Sequence, residues 1–133
     1  MEQKRYIGAY GVLIRGRAVL LVRKTRGPYT GTLDLPGGGI EYGEQPADAV
    51  VREFGEETGL HVAVTGLLPP FSLVAGGQHH LGFFFTVDLA SPGTLRETPD
   101  GQDSGGALWV PLDSVGRHPL SPLVVHALRP TAG

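Results

Sequence analysis

Most of this chain falls into apolar runs of strand length, one of which alternates cleanly from His79 to Leu89, and one segment changes to a helical period. Tyr6 to Ile14 is apolar and β-branched, Arg15-Gly16-Arg17 reads as a turn, and Ala18-Val19-Leu20-Leu21-Val22 is a continuous apolar run. The pattern predicts two paired strands, the second buried on both faces. A loop with Gly27, Pro28 and Gly31 leads to Leu33-Asp34-Leu35 and then to Pro36-Gly37-Gly38-Gly39, where backbone can approach a neighbour closely. Pro46 suits a first helical position, and Ala47, Val50, Val51 and Phe54 recur at helical spacing until Gly59, so a helix is predicted from Pro46 to Thr58. His61 to Ala75 is apolar but interrupted by Gly66 and Pro69-Pro70, as in a strand that bends or breaks. In the next strand, His79, Leu81, Phe83, Phe85, Val87 and Leu89 share one face. His80, Gly82, Phe84, Thr86 and Asp88 share the other, so His79 is expected in the core and His80, with Phe84, on a side open to substrate. Ala107 to Leu112 reads as a last strand and Ser121 to Leu128 as a final helix with Pro122 in its first turn.

Strands flanking a central helix, with a second helix at the end, point to a mixed sheet packed between helices. The 133 residues suit one domain, 1–133, with one substantial core. The net charge of -2 and the absence of a Lys/Arg run leave no footprint for a polynucleotide partner. No apolar stretch is long enough for a membrane span, and MEQKRYIGAY lacks the apolar region of a secretory leader, so a cytoplasmic protein without membrane contact is expected. With Cys 0, any metal must be held by oxygen or imidazole, which favours a hard cation.

The predicted central helix carries the chemistry. At 100° per residue, Glu53, Glu56 and Glu57 fall within an arc of roughly 100° beside the apolar stripe of Ala47, Val50 and Phe54. Carboxylates at the edge of a core repel one another through poorly screened surroundings, and a divalent cation relieves that repulsion. Arg52 adjoins them and the glycine turn precedes them, so hard oxygen ligands and approachable backbone come together, a combination suited to Mg²⁺ and a phosphate substrate.

Gly38, five residues, Glu44, seven residues, and then Arg52-Glu53-Phe54-Gly55-Glu56-Glu57-Thr58-Gly59-Leu60 resembles the complete Nudix box, residues 38–60. Phe54 stands where the family usually has a bulky aliphatic residue. The flanks Leu20-Leu21-Val22-Arg23-Lys24, Leu35-Pro36-Gly37-Gly38 and Trp109-Val110-Pro111-Leu112 are similar to the family as well. The resemblance implies an α/β Nudix fold, an α/β/α sandwich around a mixed sheet, and MutT-like hydrolysis of a pyrophosphate bond in a nucleoside diphosphate linked to a further group. It implies Mg²⁺, with Mn²⁺ as a possible substitute, held by Glu56 and Glu57. Glu53 is similar to a residue that serves either as metal ligand or as proton acceptor, and both roles stay open. Arg52 is expected to orient Glu53, Glu44 to complete the coordination shell or hold a water, and the Gly37 carbonyl to act as a backbone ligand.

Family members often draw a further acid from a loop before a strand that begins with Trp. Asp103 is the best placed, with Glu97 and Asp100 behind it. Arg23 resembles a position that presents a basic side chain to substrate phosphate. A Pro or Tyr beyond the box often marks members specific for ADP-ribose or dinucleoside polyphosphates. Gly76-Gly77-Gln78 stands there instead, leaving nucleoside triphosphates, oxidised ones included, as the default substrate. A catalytically silent nucleotide- or protein-binding module is the alternative, and a homodimer is compatible with the resemblance. Replacing Glu53 or Glu57 by Gln is expected to lower turnover by orders of magnitude while the circular dichroism spectrum stays that of the wild type; near-full activity in either variant would remove that residue from the site.

Overall fold

The computed structural model describes residues 4–99 and 104–129. Eight strands and two α-helices follow one another as β1 (Lys4–Val12), β2 (Ile14–Arg15), β3 (Ala18–Lys24), β4 (Leu33–Asp34), β5 (Gly37–Gly39), α1 (Pro46–Thr58), β6 (Val62–Ala75), β7 (Gln78–Leu89), β8 (Ser104–Pro111) and α2 (Pro122–Ala127). They form two four-stranded sheets: one in the order β5-β1-β7-β6, the other β2-β3-β4 with β8 also on β3. The first sheet is mixed, because β1 and β7 run parallel while its other pairs are antiparallel.

The expected pairing of the first two strands is corrected. A strand has two edges, and those of β1 are taken by β5 and β7, so β1 has none left for β3. The chain changes sheets at the buried Leu13, and only Ile14–Arg15 forms the hairpin with β3. The single sheet expected from the sequence is thus two sheets, still layered between the helices.

Alternate residues of the central strands feed opposite cores. Ala9, Leu20, Val22, Phe85 and Val87 pack with Ala49, Val50 and Phe54 of α1. Tyr10, Val12, Val19, Leu21, Phe84 and Val110 pack with Leu123 and Val124 of α2. This two-sided burial explains the unbroken apolar run of β3. It also corrects the expectation for His79, which is exposed and not in the core; His80 is buried. Since both faces of β7 are apolar along Phe83 to Val87, its composition does not say which side reaches solvent. The even-numbered side continues under Tyr10, whose ring contacts those of His80 and Phe84.

The bend foreseen around Pro69-Pro70 is present as register shifts between Val64 and Gly66 and between Leu68 and Phe71. Among the described residues β6 pairs only with β7, and an edge strand accommodates proline because one side of its backbone needs no partner. Helix α1 starts at Pro46 and stops at Gly59, whose φ of 77° is easy for glycine and whose N–H returns to the Gly55 carbonyl. Among the described residues no helix is long and apolar enough to cross a membrane.

Phe54 fixes the rotation of α1. Its ring is fully buried, and a Cβ on Gly11 of β1 would lie 2.9 Å from it, so glycine there makes room for the aromatic at this position. Truncating Phe54→Ala should lower stability by about 3–5 kcal/mol in urea unfolding. A loss below about 1 kcal/mol would mean that the ring does not anchor the helix.

Candidate active site

The acid cluster forms where α1 passes over the glycines of β5. Arg52 is its hub. Its Nε and Nη2 donate to the two carboxylate oxygens of Glu44, each at 2.9 Å, a two-pronged pairing that holds the loop before α1 against the helix. Its Nη1 donates to Glu53 at 3.1 Å and to Glu56 at 3.3 Å, and Nη2 also reaches the Gly39 carbonyl at 3.0 Å. The Glu44 carboxylate accepts the Glu41 N–H at 3.0 Å. The Arg52 guanidinium is the main reason that the Glu44 carboxyl is held down to about 2. Arg52 thus brings together Glu44, Glu53 and Glu56; of these pairings the one with Glu53 was expected from the sequence.

Glu57 lies on the inner side of the cluster. It is buried, and its Oε1 accepts the Gly37 N–H at 3.4 Å. Burial pushes its carboxyl up to about 9; the charge of Lys24 opposes the rise and that of Glu53 adds to it. Glu53 is packed onto the same backbone, since a Cβ on Gly38 would lie 2.7 Å from its carboxylate. Glycine at 38 is required by that approach. The described contact of Gly37 with the cluster is through its N–H; its carbonyl remains a candidate ligand.

Among the described residues no three acidic or imidazole groups already converge as a ready-made metal cluster. The reason is visible in the network: Arg52 draws the Glu56 and Glu53 carboxylates toward its own side. The donor chemistry nevertheless fits a hard divalent cation. Glu53 and Glu57 present carboxylates over one stretch of glycine backbone, and Glu57 is buried without an ion pair.

The other expected residues are placed as follows. Asp103 and Asp100 lie outside the described residues; Glu97 is exposed on the loop before β8. That loop is tied to α1 through Arg96, whose N–H donates to the Thr58 carbonyl and whose guanidinium donates to the Glu56 carbonyl. Arg23 is exposed and lines a cavity of about 280 Å³ with Thr32, Leu108 and His118. His80 lines another cavity, of about 200 Å³, with Tyr6, Tyr10, Tyr29, Lys24 and Asp34. Its Nε2 is 2.7 Å from the Tyr10 hydroxyl, and burial, aided by the charge of Lys24, lowers its pKa to about 4, so the ring is neutral at pH 7. Among the described residues the Tyr29 hydroxyl has no hydrogen-bond partner, a condition that costs about 1–3 kcal/mol for a buried polar group.

Sequence reasoning missed Lys24 and Asp34. Lys24 is the cation whose charge reaches Glu57, His80 and Asp34. For Asp34 a signal existed, a carboxylate between Leu33 and Leu35, where an unpaired acid is costly.

The NUDIX domain family matches residues 4–129. Over 96 residues, 71% of this chain, it is 42% identical to a protein named ADP-ribose pyrophosphatase from Methanocaldococcus jannaschii, covering 56% of that protein. It is 33% identical over 114 residues to a putative 8-oxo-dGTP diphosphatase from Bacillus subtilis, covering 82% of this chain and 66% of that one. The chain therefore spans just over half to two thirds of the length of these curated relatives. Among solved structures, a MutT NUDIX hydrolase from Burkholderia pseudomallei superposes with a TM-score of 0.73 at 29% identity, covering 96% of this chain and 95% of that chain. With its fold, its box and these relatives in agreement, the chain belongs to the Nudix hydrolase family, whose members act on phosphoanhydride bonds and generally use a divalent metal.

Glu57 gives the metal-free protein a characteristic pH dependence. Its folded-state pKa of about 9 lies above the ordinary 4.5, so between those values the native state binds more protons than the unfolded chain, and stability falls as pH rises. Glu44 acts oppositely and further down, contributing stability above its ordinary range that is lost as pH falls toward about 2. In chelator, thermal stability should decline from about pH 5 to about pH 9, and Glu57→Gln should flatten that decline. An unchanged slope in the variant would show that the buried carboxyl is not its source.

Proposed function

We propose that this chain is a magnesium-dependent pyrophosphohydrolase. Its substrate class is a nucleoside diphosphate linked to a further group, with nucleoside triphosphates, oxidised ones included, as the default and Mn²⁺ as a possible substitute for Mg²⁺. The observation that carries this reading is the buried carboxylate of Glu57 beside Glu53, both set against the Gly37–Gly38 backbone. Two acids held together there, one without an ion pair, make a site for a cation that also bears phosphate oxygens.

Glu53, Glu56 and Glu57 would hold the cation, with the Gly37 carbonyl and Asp103 as further ligands. When bound, Mg²⁺ neutralises charge developing on the pyrophosphate and lowers the pKa of an attacking water. Glu57 must lose its proton for this, and burial makes it a strong oxygen donor once it has done so. The Glu56 side chain is largely exposed and can turn from Arg52 toward the cluster. Arg52 holds Glu53 in orientation through Nη1 and fixes Glu44 through the paired bonds of Nε and Nη2. Glu53 then serves either as a ligand or as the acceptor of the water's proton, and Glu44 as an outer holder of water. Arg23, at the end of β3, supplies positive charge for the phosphates, and His80 offers a neutral ring to the nucleoside part. The relatives' names support a nucleotide substrate, and the one named for ADP-ribose makes that compound the second candidate.

The test is product release from nucleoside triphosphates, ADP-ribose, dinucleoside polyphosphates and nucleotide sugars, with Mg²⁺ or Mn²⁺ and with chelator. Cleavage of one class that stops with chelator is expected. Folded protein that binds metal yet turns over nothing in the panel would instead indicate a silent nucleotide- or protein-binding module.

A further inference from the structure

Helix α1 carries two of its acids at the end least suited to them. A helix concentrates partial negative charge at its C-terminus, where carboxylates are unfavourable and cations stabilise. Glu56 and Glu57 stand in the final turn, just ahead of the Gly59 stop, and no basic residue in that turn offsets them. The last carbonyls of a helix also lack partners within it. Here the Gly55 carbonyl accepts the Gly59 N–H, and the Thr58 hydroxyl donates to the Phe54 carbonyl at 2.6 Å, which leaves the carbonyls from Glu56 onward to be met from elsewhere.

Arg96, on the segment between β7 and β8, meets two of them. Its N–H donates to the Thr58 carbonyl at 2.7 Å, and its guanidinium donates to the Glu56 carbonyl. One residue thus brings two donors and the missing positive charge to the end of the helix that bears Glu56 and Glu57. Arg96 is fastened from behind as well. Its carbonyl accepts the Ala107 N–H at 2.9 Å, and Ala107 belongs to β8, which is paired along β3. The neighbouring Leu95 packs against the core that contains Phe54. The segment runs between two glycines: a Cβ on Gly59 would lie 2.8 Å from the Thr94 carbonyl, and one on Gly106 would run into the Glu97 carbonyl. Close passage across the end of α1 is therefore provided for on both sides.

The consequence reaches the glutamates through the backbone. Arg52 holds Glu56 by its side chain, at 3.3 Å, and Arg96 holds the same residue by its main chain. With the main chain pinned, Glu56 can leave Arg52 by rotating one exposed side chain, without any movement of the turn. Glu57, next along the chain, depends on the same turn for its approach to the Gly37 N–H. Helix ends open locally at low cost unless caps or packing hold them. An open last turn would take both glutamates out of register with Glu53, which sits one turn earlier against Gly38.

We propose that Arg96 is a positioning residue of the metal site, a clamp from the segment before β8 that keeps Glu56 and Glu57 in register with Glu53 so that one cation can be held by all three. This rests on the reading of these glutamates as the ligands of a divalent metal. Arg96 acts through the carbonyls of α1 and touches neither metal nor substrate. The ligand-bearing stretch is then held from two directions: Arg52 ties it to the Gly39 carbonyl of β5, and Arg96 ties its last turn to β8. Lysine at 96 keeps the charge but loses the fixed fork of the guanidinium, so it replaces arginine only in part.

The experiment measures Mn²⁺ binding by calorimetry, and amide hydrogen exchange of residues 56–60 in the metal-free protein, for the wild type, Arg96→Ala and Arg96→Lys. Val124→Ala, in the core on the α2 side, controls for general loss of stability. Arg96→Ala should weaken Mn²⁺ binding about tenfold, with faster exchange confined to the last turn of α1. Arg96→Lys should recover part of the affinity, and Val124→Ala should bind Mn²⁺ as the wild type does. In turnover, Arg96→Ala should raise the Mg²⁺ concentration needed for half-maximal rate while kcat at saturating metal stays near the wild-type value. Wild-type affinity in Arg96→Ala overturns the proposal, even if exchange is faster, because Arg96 would then be a helix cap and nothing more. An equal loss of affinity in Val124→Ala also overturns it, since lost stability alone would explain the effect. If Arg96→Ala does not fold, Arg96→Lys decides: weaker Mn²⁺ binding than the wild type supports the proposal, and equal binding overturns it. If Arg96→Ala weakens Mn²⁺ binding but no nucleotide is cleaved by the wild type, the clamp stands and the hydrolase reading falls. If the wild type binds no Mn²⁺, both fall.

Discussion

A carboxylate taken out of water loses its hydration and must be met by a proton, a cation or several donors, and among the described residues Glu57 receives only one long hydrogen bond, from the Gly37 N–H. Arg52 does not pair with it, because its guanidinium is occupied by Glu44, Glu53, Glu56 and the Gly39 carbonyl. Lys24 lowers the cost by its charge without removing it. With its carboxyl pushed up to about 9, Glu57 holds a proton at neutral pH in the absence of metal. On the proposed function a cation would take that proton's place, and metal would bind in competition with protons.

The surrounding fold keeps that arrangement in place. Helix α1 must present Phe54 and Val50 to the core and its glutamates to β5 at the same time, which fixes its rotation to within a fraction of a turn. Small residues on the opposing backbone make this possible: Gly11 accepts the Phe54 ring, and Gly38 lets Glu53 rest against the chain. On the other side of the sheets, Ser121 at the start of α2 holds Asp34. Each helix thus fixes acidic side chains, α1 by carrying the glutamates and α2 by the bond from Ser121 to Asp34 of β4.

The helix from Pro46 to Thr58 and its glutamate face were legible because three signals coincided: a proline start, a glycine stop and a polar arc beside an apolar stripe. The cluster of Arg52, Glu44, Glu53 and Glu56 followed from that face and from the box. Pairing was less legible, since an apolar strand does not say which neighbour takes its edges, and β1 went to β7, far along the chain. His79 was misassigned to the core for a related reason: apolar residues on both sides of β7 remove the contrast that reveals solvent. Asp34, only four residues before the box, and Lys24 were passed over because the sequence does not show that the pairing of β3 with β4 brings them to one cavity.

The most direct measurement is metal binding by calorimetry at pH 7 in buffers of different ionisation enthalpy, which counts the protons released. If the Glu57 carboxyl is protonated in the metal-free protein and becomes a ligand, Mn²⁺ or Mg²⁺ binding to the wild type should release about one proton, and Glu57→Gln should bind more weakly and release fewer. Binding to the wild type without proton release, or the same affinity and release in Glu57→Gln, would contradict the central role given to this buried carboxylate.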